Sequence, residues 1–261
     1  MVNEARIPEI SIIIPAYKEG ERIGRTLLEI QDYFAHNKRD YEVIVIVDGS
    51  PDNTTEIVRN YAEQILQLRV IDNAENHGKG YVVRQGLLEA RGRWRLFMDA
   101  DGSTSITHLD AFLLEADAGC DVVIGSRAID GAFIQVRQER YREIMGDMGN
   151  WLIRIVLGLW KYPDTQCGFK LLSAEAAEAV ATRMVVDRFG FDFELIALAE
   201  RLGFCVKQLP VRWLNEEGST VSLFGLNGFV QVIIDLFKTR WRLITGSYKL
   251  GKYTKNRTTR N

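Results

Sequence analysis

The sequence predicts an α/β domain, a mostly parallel sheet with flanking helices, ending in an amphipathic C-terminal helix. Three observations carry this expectation. Short apolar runs alternate with segments of helical periodicity from Ile10 to Gly125. Each run stops in a polar loop rich in Gly, Asp or Ser. Past Gly225, apolar residues recur at helical spacing beside basic ones.

In chain order, Ile10–Pro15 reads as a strand and Glu21–Phe34 as a helix, because Ile23, Leu27, Ile30 and Phe34 share one helical face. Tyr41–Val47 is a second strand, stopped by Asp48-Gly49-Ser50-Pro51-Asp52 and followed by a helix to about Leu66. Leu68–Asp72 is a strand, Gly80–Ala90 a helix, Trp94–Met98 a strand, Ile106–Ala116 a helix and Asp121–Gly125 a strand. Such alternation implies right-handed crossovers, with ligands outside the carboxyl ends of the strands. The loops at those ends are Pro15-Ala16-Tyr17-Lys18-Glu19, Asp48–Asp52, Asn76-His77-Gly78-Lys79-Gly80 and Asp99-Ala100-Asp101, so their polar groups converge on one rim.

The pattern then changes. An arginine-rich stretch from Arg127 to Arg142 leads into an apolar helix reaching about Trp160. The segment Asp164–Leu171 carries a motif and no assigned element. Helices follow over Ala174–Ala181 and Phe191–Leu202, then a strand over Cys205–Val211 and a polar loop over Leu214–Ser222. A long helix from Gly225 to about Thr245 precedes a basic tail. The simplest division is one domain over residues 1–222 and an attachment segment over 223–261, an amphipathic helix plus basic tail suited to a membrane surface.

A net charge of −2 over 261 residues argues against nucleic acid as a partner. The three cysteines, Cys120, Cys167 and Cys205, show neither a disulfide framework nor a zinc spacing, so a reducing, cytoplasmic setting is expected. The first residues lack an apolar signal region, and no apolar run approaches the ~20 residues that span a bilayer. Trp151–Trp160 comes nearest, and Arg154 interrupts it.

The chemistry centres on Asp99 and Asp101. Alternation along a strand puts both carboxylates on one face where the strand frays, and they repel unless a cation lies between them. A divalent ion carrying a phosphorylated substrate meets that need; an exposed acidic turn is the plainer alternative.

The ordered set Pro15-Ala-Tyr-Lys-Glu19, Asp48-Gly-Ser-Pro-Asp-Asn-Thr54, Gly78-Lys-Gly80 and Asp99-Ala-Asp-Gly102 resembles the inverting glycosyltransferases of family two. Gly125-Ser-Arg127, Asp164-Thr-Gln-Cys-Gly-Phe-Lys170, Phe191-Asp-Phe-Glu-Leu195 and Glu217-Gly-Ser219 extend the resemblance to the polyprenyl-phosphate sugar synthase branch. It is most similar there to the dolichyl-phosphate β-glucosyltransferases, with the mannosyl enzymes near relatives. The resemblance covers roughly residues 8–246. It implies a GT-A (Rossmann-like) nucleotide-sugar fold and inverting transfer of one hexose, glucose from UDP-glucose by preference and mannose from GDP-mannose as the alternative, to a polyprenyl phosphate.

By the same resemblance, Asp99 and Asp101, with Ser103 in the third place, would hold Mg2+ or Mn2+. Pro15, Tyr17, Glu19, Asp48, Lys79 and Gln166 would line the nucleotide sugar. Arg127 and Arg142 would bind the acceptor phosphate and, with Asp101, carry catalysis. A lipid phosphate is already anionic and needs no general base, whereas guanidinium forks suit its oxygens. Other roles remain open: Asp48 and Glu19 as turn or cap carboxylates, Lys79 as a solvated lysine, and Arg142 as a basic helix start near Arg137 and Arg140. Asp192 and Glu194 would orient the sugar or bind backbone amides. Cys167 reads as packing, and Ser50 and Asp52 as capping residues. The fragment Phe97–Thr104 also looks like the opening motif of haloacid-dehalogenase-type phosphatases, and a non-catalytic nucleotide-binding module is a third reading. The expected location is peripheral, on the cytoplasmic face of a membrane, with Phe229, Ile233, Leu236, Phe237 and Trp241 forming the apolar face of the last helix.

Overall fold

A computed structural model describes residues 7–134, 140–214 and 226–250. Strands β1 (Ile10–Ala16), β2 (Tyr41–Asp48), β3 (Leu68–Asn73), β4 (Trp94–Met98) and β5 (Val122–Ser126) fall where the apolar runs place them. Helices α1 (Ile23–Asn37), α2 (Thr54–Ala62), α3 (Lys79–Glu89) and α4 (Leu109–Asp117) connect them, α4 being preceded by a 3-10 turn at Ile106–His108. Beyond them come β6 (Phe133–Ile134), α5 (Arg140–Leu157), β7 (Phe169–Ser173), α6 (Ala174–Ala181), α7 (Phe191–Arg201), β8 (Val206–Pro210), β9 (Arg212–Trp213) and α8 (Leu226–Thr245).

The main sheet has the order β3-β2-β1-β4-β7-β5-β8, and β6 pairs with β9 in a small second sheet. All neighbours in the main sheet run parallel except β7, which is antiparallel to both β4 and β5. The first crossovers run from β1 out to β3, and the next returns to β4 on the other side of β1. That reversal opens a crevice at the carboxyl ends of β1, β2 and β4.

Strand alternation divides the core into two layers. Ile12, Ile14, Val43, Val45 and Val47 face α1, α2 and α4. Ile13, Ile44 and Ile46 face α3, joined there by α6, α7 and parts of α5 and α8. Strands β1, β4 and β5 are buried along their whole length and β2 along all but its first residue, which is why they read as continuous apolar runs.

Strand β7 corrects the expectation of an unassigned loop up to Leu171. The sequence hides it because Lys170 is an improbable residue for the centre of a sheet. Lys170 is fully buried there, and its charge is paired with Asp192 on α7. The last helix corrects the expected apolar face. Leu236 is 0% exposed and belongs to the core with Leu243, while Ile233 is half-buried. The exposed apolar stripe is instead Val230, Ile234, Phe237, Trp241 and Ile244, spaced by three or four residues. The Phe229 side chain and the tail from Gly251 lie outside the described residues. Helix α8 packs on α5 and α7, so its inner face is part of the main core.

Gly86 shows how closely α3 lies on the sheet: an added Cβ would meet Ile13 Cγ2 at 2.3 Å and Ile46 Cδ1 at 2.8 Å. Alanine gains about 1 kcal/mol of helix propensity over glycine, whereas overpacking costs about 1–3 kcal/mol. Overpacking wins here because both neighbours are themselves fully buried. Gly86→Ala is expected to lower the urea midpoint despite its better propensity; an unchanged or higher midpoint would show that α3 can lift freely.

Candidate active site

The crevice is walled by backbone held in place by polar side chains. Pro15 and Ala16 are buried at the end of β1, and Tyr17 emerges beyond them. Lys18 adopts φ 57°, and its amide donates to Ser50 Oγ at 2.7 Å. The Glu19 amide donates to Thr54 Oγ1 and the Gly20 amide to Asp52. Asp52 also accepts from the Thr54 amide and hydroxyl and from the Ser50 hydroxyl. Ser50 and Asp52 thus tie two site loops together as well as starting α2.

Asp48 ends β2 with its carboxylate almost wholly buried. One oxygen accepts from the His77 amide and the other from the Gly78 amide, both at 2.8 Å. Gly78 sits at φ 104°, and a Cβ there would strike the Asp187 carbonyl at 2.4 Å, so only glycine fits. Asp48 therefore fixes the loop that launches α3 and Lys79. His77 stacks on Tyr81 with ring centroids 4.4 Å apart, giving the rim a flat aromatic edge beside Asp48.

Lys79 reaches Asp99: Nζ lies 2.7 Å from Oδ1. That oxygen is shielded from solvent, and the ammonium engages one of its lone pairs, which leaves the second as unused acceptor capacity. Burial opposes the Lys79 charge, but Asp99 and Asp192 overcome it and hold the ammonium above its usual range. Burial and the neighbouring Asp99 charge push the Asp101 carboxyl up. The Ser103 amide donates to Asp101 Oδ1 at 2.9 Å, and the Ser103 hydroxyl supports the same carboxylate. Thr26 anchors the loop through the Ala100 carbonyl.

The floor of the crevice is the Asp164–Lys170 motif. The Asp99 amide donates to the Gly168 carbonyl, and a Cβ on Gly168 would fall 1.9 Å from Asp99 Oδ2. Glycine at 168 is what lets Asp99 lie flat against this backbone. Lys170 Nζ donates to the Cys167 carbonyl at 2.6 Å and also pairs with Asp192. Both Lys79 and Lys170 lie 5.6 Å from the centre of the Phe97 ring. Burial raises the Asp192 carboxyl, with Lys170 and Lys79 opposing that shift. Burial pushes the Cys167 thiol up to about 12, so it stays protonated at neutral pH and acts as packing.

Arg127, just past β5, is gripped by Asp164. Its Nε and Nη2 donate to the two carboxylate oxygens at 2.8 and 3.0 Å, and its amide donates to Oδ2 at 2.9 Å. Burial would weaken both charges, but the pair holds Asp164 below the usual carboxylate range and Arg127 above its own. Trp213 lies against the guanidinium at 5.5 Å. The Gln166 amide donates to Asp164 as well. Glu194 is fully buried and accepts from the Val185 and Val186 amides and the Tyr248 hydroxyl, so it binds backbone amides. Arg142 falls on α5, but its side chain, like Arg137 and Glu217-Gly218-Ser219, lies outside the described residues. An open cleft of about 840 Å³ between Gly49–Asn53, α2 and Asp72–Ala74 contains neither Asp99 nor Asp101.

Asp99, Asp101, Lys79 and Glu19 are brought to one rim as the motif spacing implies. The roles of Asp164, Lys170 and Gly168 are visible only in three dimensions, although their shared motif marks the segment.

Glu19 provides a pH test. Burial, with Asp101 and Asp99 adding to it and Arg22 opposing, raises its carboxyl from 4.5 to about 7. The folded state therefore binds more protons than the unfolded state between those values, and stability falls as pH rises through that window. Unfolding midpoints measured from pH 4.5 to 7 without divalent ion should fall more steeply for the wild type than for Glu19→Gln. Equal slopes would contradict the shift.

Comparison with known proteins agrees with this geometry. Residues 11–181 match the model of Glycosyl transferase family 2. The dolichyl-phosphate beta-glucosyltransferase of Drosophila melanogaster is 34% identical over 95% of this chain and 79% of its own length. Its Saccharomyces cerevisiae counterpart is 30% identical over 93% and 77%. Among solved structures, glucosyl-3-phosphoglycerate synthase from Mycobacterium tuberculosis, in complex with phosphoglyceric acid, superimposes with a TM-score of 0.67 at 19% identity, covering 90% of this chain and 80% of that one. The same synthase with Mn2+, UDP-glucose and phosphoglyceric acid gives 0.64 at 20%, covering the same shares. Those likenesses establish the fold, and the family match with its relatives establishes kinship: this chain belongs to glycosyl transferase family 2.

Proposed function

We propose that the protein transfers glucose from UDP-glucose, with inversion, to a dolichyl-type polyprenyl phosphate. The observation that carries this reading is the Asp99–Lys79 pair, an acidic site already holding one cation at the carboxyl end of β4, in a chain whose relatives are named dolichyl-phosphate beta-glucosyltransferases. The donor set fits a hard divalent ion. Asp99 and Asp101 offer carboxylate oxygens beside the Ser103 hydroxyl, and Asp99 Oδ1 has acceptor capacity to spare. No third His, Cys, Asp or Glu completes a metal cluster among the described residues, so phosphate oxygens and water would fill the remaining positions. Bound there, Mg2+ or Mn2+ would neutralise charge on the departing diphosphate.

The protein groups divide the remaining work. Asp48, Glu19, Tyr17 and Pro15 shape the end that takes the nucleotide, and Gln166 lies on the floor beside Asp164. Lys79 stands as the resident cation of the acidic pair and would be free to hold the donor's phosphates with an ion bound at Asp99. Arg127, oriented by Asp164, presents its outer edge to the acceptor phosphate, with Arg142 on α5 as its partner. An acceptor phosphate oxygen forms a bond to the anomeric carbon as the bond from that carbon to the nucleoside diphosphate breaks. No proton needs removal, because the attacking oxygen is anionic. GDP-mannose as donor is the alternative within the same chemistry.

The lipid acceptor requires the crevice to sit at a membrane surface. No helix among the described residues is long and apolar enough to cross a membrane. The exposed stripe on α8 and the exposed Met148, Trp151 and Ile155 on α5 supply apolar contacts, with the catalytic domain on the cytoplasmic side. The basic residues of the tail, Lys252, Lys255, Arg257 and Arg260, add attraction to anionic headgroups.

Two measurements test this reading. With radiolabelled UDP-glucose and a short polyprenyl phosphate, label should enter the organic phase in the presence of Mn2+ or Mg2+. Asp101→Ala should reduce that transfer by at least about a hundredfold, a loss of the size seen when charge stabilisation of a leaving group is removed. Full activity in chelator, or near-normal turnover by folded Asp101→Ala, would refute the metal assignment, and label appearing only from GDP-mannose would replace the donor. Separately, full-length protein should sediment with anionic vesicles at low salt. Phe237→Ser/Trp241→Ser should weaken that binding at least about tenfold, since each side chain buries on the order of 1.5–3 kcal/mol of apolar surface. Unchanged sedimentation would remove the α8 stripe as the contact.

A further inference from the structure

At the amino ends of β5 and β8, on the side of the sheet away from the crevice, two thiols meet. Cys120 follows α4, Cys205 precedes β8, and the two are 85 positions apart in the chain. Their Sγ atoms lie 2.6 Å apart, inside the van der Waals separation of two sulfurs, although both are free thiols. The backbone independently holds them together. The Asp121 and Val122 amides donate to the Cys205 carbonyl at 3.1 and 3.0 Å, and the Cys205 amide donates to Asp121 Oδ2 at 2.9 Å. The backbones that carry the two thiols cannot part without unzipping the start of the β5–β8 ladder, which pairs Val122 with Val206.

We propose that Cys120 and Cys205 are a modification site: a disulfide closes between them when the protein meets a low-molecular-weight disulfide oxidant such as oxidised glutathione. Cys205 is exposed and Cys120 half-buried, so the oxidant reaches Cys205 first. The Cys205 thiolate attacks one sulfur of the oxidant, forming a mixed disulfide and releasing one glutathione thiolate. Cys120 then gives up its proton and attacks Cys205 Sγ, and the second glutathione leaves as its thiolate. The protein is oxidised by two electrons and loses two hydrogens; oxidised glutathione becomes two molecules of the reduced thiol. Burial and the Cys205 contact push the Cys120 thiol up to about 12, which makes its thiolate scarce, and the short Sγ–Sγ separation offsets this in the second, intramolecular step. Closure requires little movement of the ladder. It ties β8, an edge strand whose neighbour in the main sheet is β5, to the interior at its entry end. In a reducing compartment the pair stays open, and under oxidising conditions it braces the edge.

The test uses the full-length chain, treated with oxidised glutathione, alkylated under denaturing conditions and mapped without reduction. Before alkylation the intact mass should fall by two hydrogens; after it, one cross-linked peptide should contain Cys120 and Cys205, and Cys167 alone should be alkylated. Thermal unfolding should shift upward by about 5–10 °C, reversibly with dithiothreitol, as expected for closing a long loop in a domain of this size. Cys205→Ser should show neither the linkage nor the shift, and Cys120→Ser should retain a glutathione adduct on Cys205. Three alkylated cysteines in the treated wild type, an adduct that persists on Cys205 with Cys120 present, or linkage through Cys167 or between two chains would overturn the proposal.

Discussion

The crevice is governed by the need to balance carboxylates in a half-buried space. Asp99, Asp101 and Asp192 influence one another there, and burial disfavours the charge of both Asp101 and Asp192. Lys79 and Lys170 supply the opposing charge from two different elements, α3 and β7. Because leaving a buried charge unpaired costs several kcal/mol, these pairings fix where α3 and α7 sit against the sheet. They also fix the Cys167-Gly168 backbone, whose carbonyls accept from Lys170 and from the Asp99 amide. Scaffold and site are therefore set by the same interactions. Asp48 extends this logic to β2 by spending both oxygens on the amides that lead into Lys79.

A second balanced pair, Arg127 with Asp164, stands across the floor and divides the crevice by charge. The β4 end carries the carboxylates of Asp99 and Asp101, whereas the β5 end presents a guanidinium. Asp164 takes two hydrogen bonds from the guanidinium and one from the Arg127 amide, so the side chain's direction is built into the backbone. In the proposed reaction, the donor and the anionic acceptor would approach from opposite sides without competing for one cation. The apolar stripe of α8 that lies on the face away from Leu236 and Leu243 is exposed, and it is the surface proposed to meet the membrane.

Much of this was legible in the sequence. Wherever a strand was a continuous apolar run, its bounds agreed with the structure within a residue or so, and the loops bearing Asp48, Lys79, Asp99 and Asp101 followed from them. Strand β7 was not legible, because period and hydrophobicity cannot anticipate a buried lysine whose partner lies 22 residues away. The two-residue strands β6 and β9 were too short to leave a pattern. The α8 face was misassigned because Leu236 and Trp241 look equally apolar in sequence, and only packing against α5 and α7 separates inner from outer positions. The Asp164 motif was visible as a motif, but its partnership with Arg127 links positions 37 residues apart and appears only on folding.

The central claim is that Lys79 occupies, in charge, the place a divalent ion takes at the acidic pair. Mn2+ affinity, measured by titration without any nucleotide, tests it directly for the wild type and for Lys79→Met. If Lys79 competes with the ion for Asp99, removing its charge should tighten Mn2+ binding by about tenfold, corresponding to roughly 1.4 kcal/mol of relieved competition. Unchanged or weaker Mn2+ binding by a folded Lys79→Met protein would contradict the account.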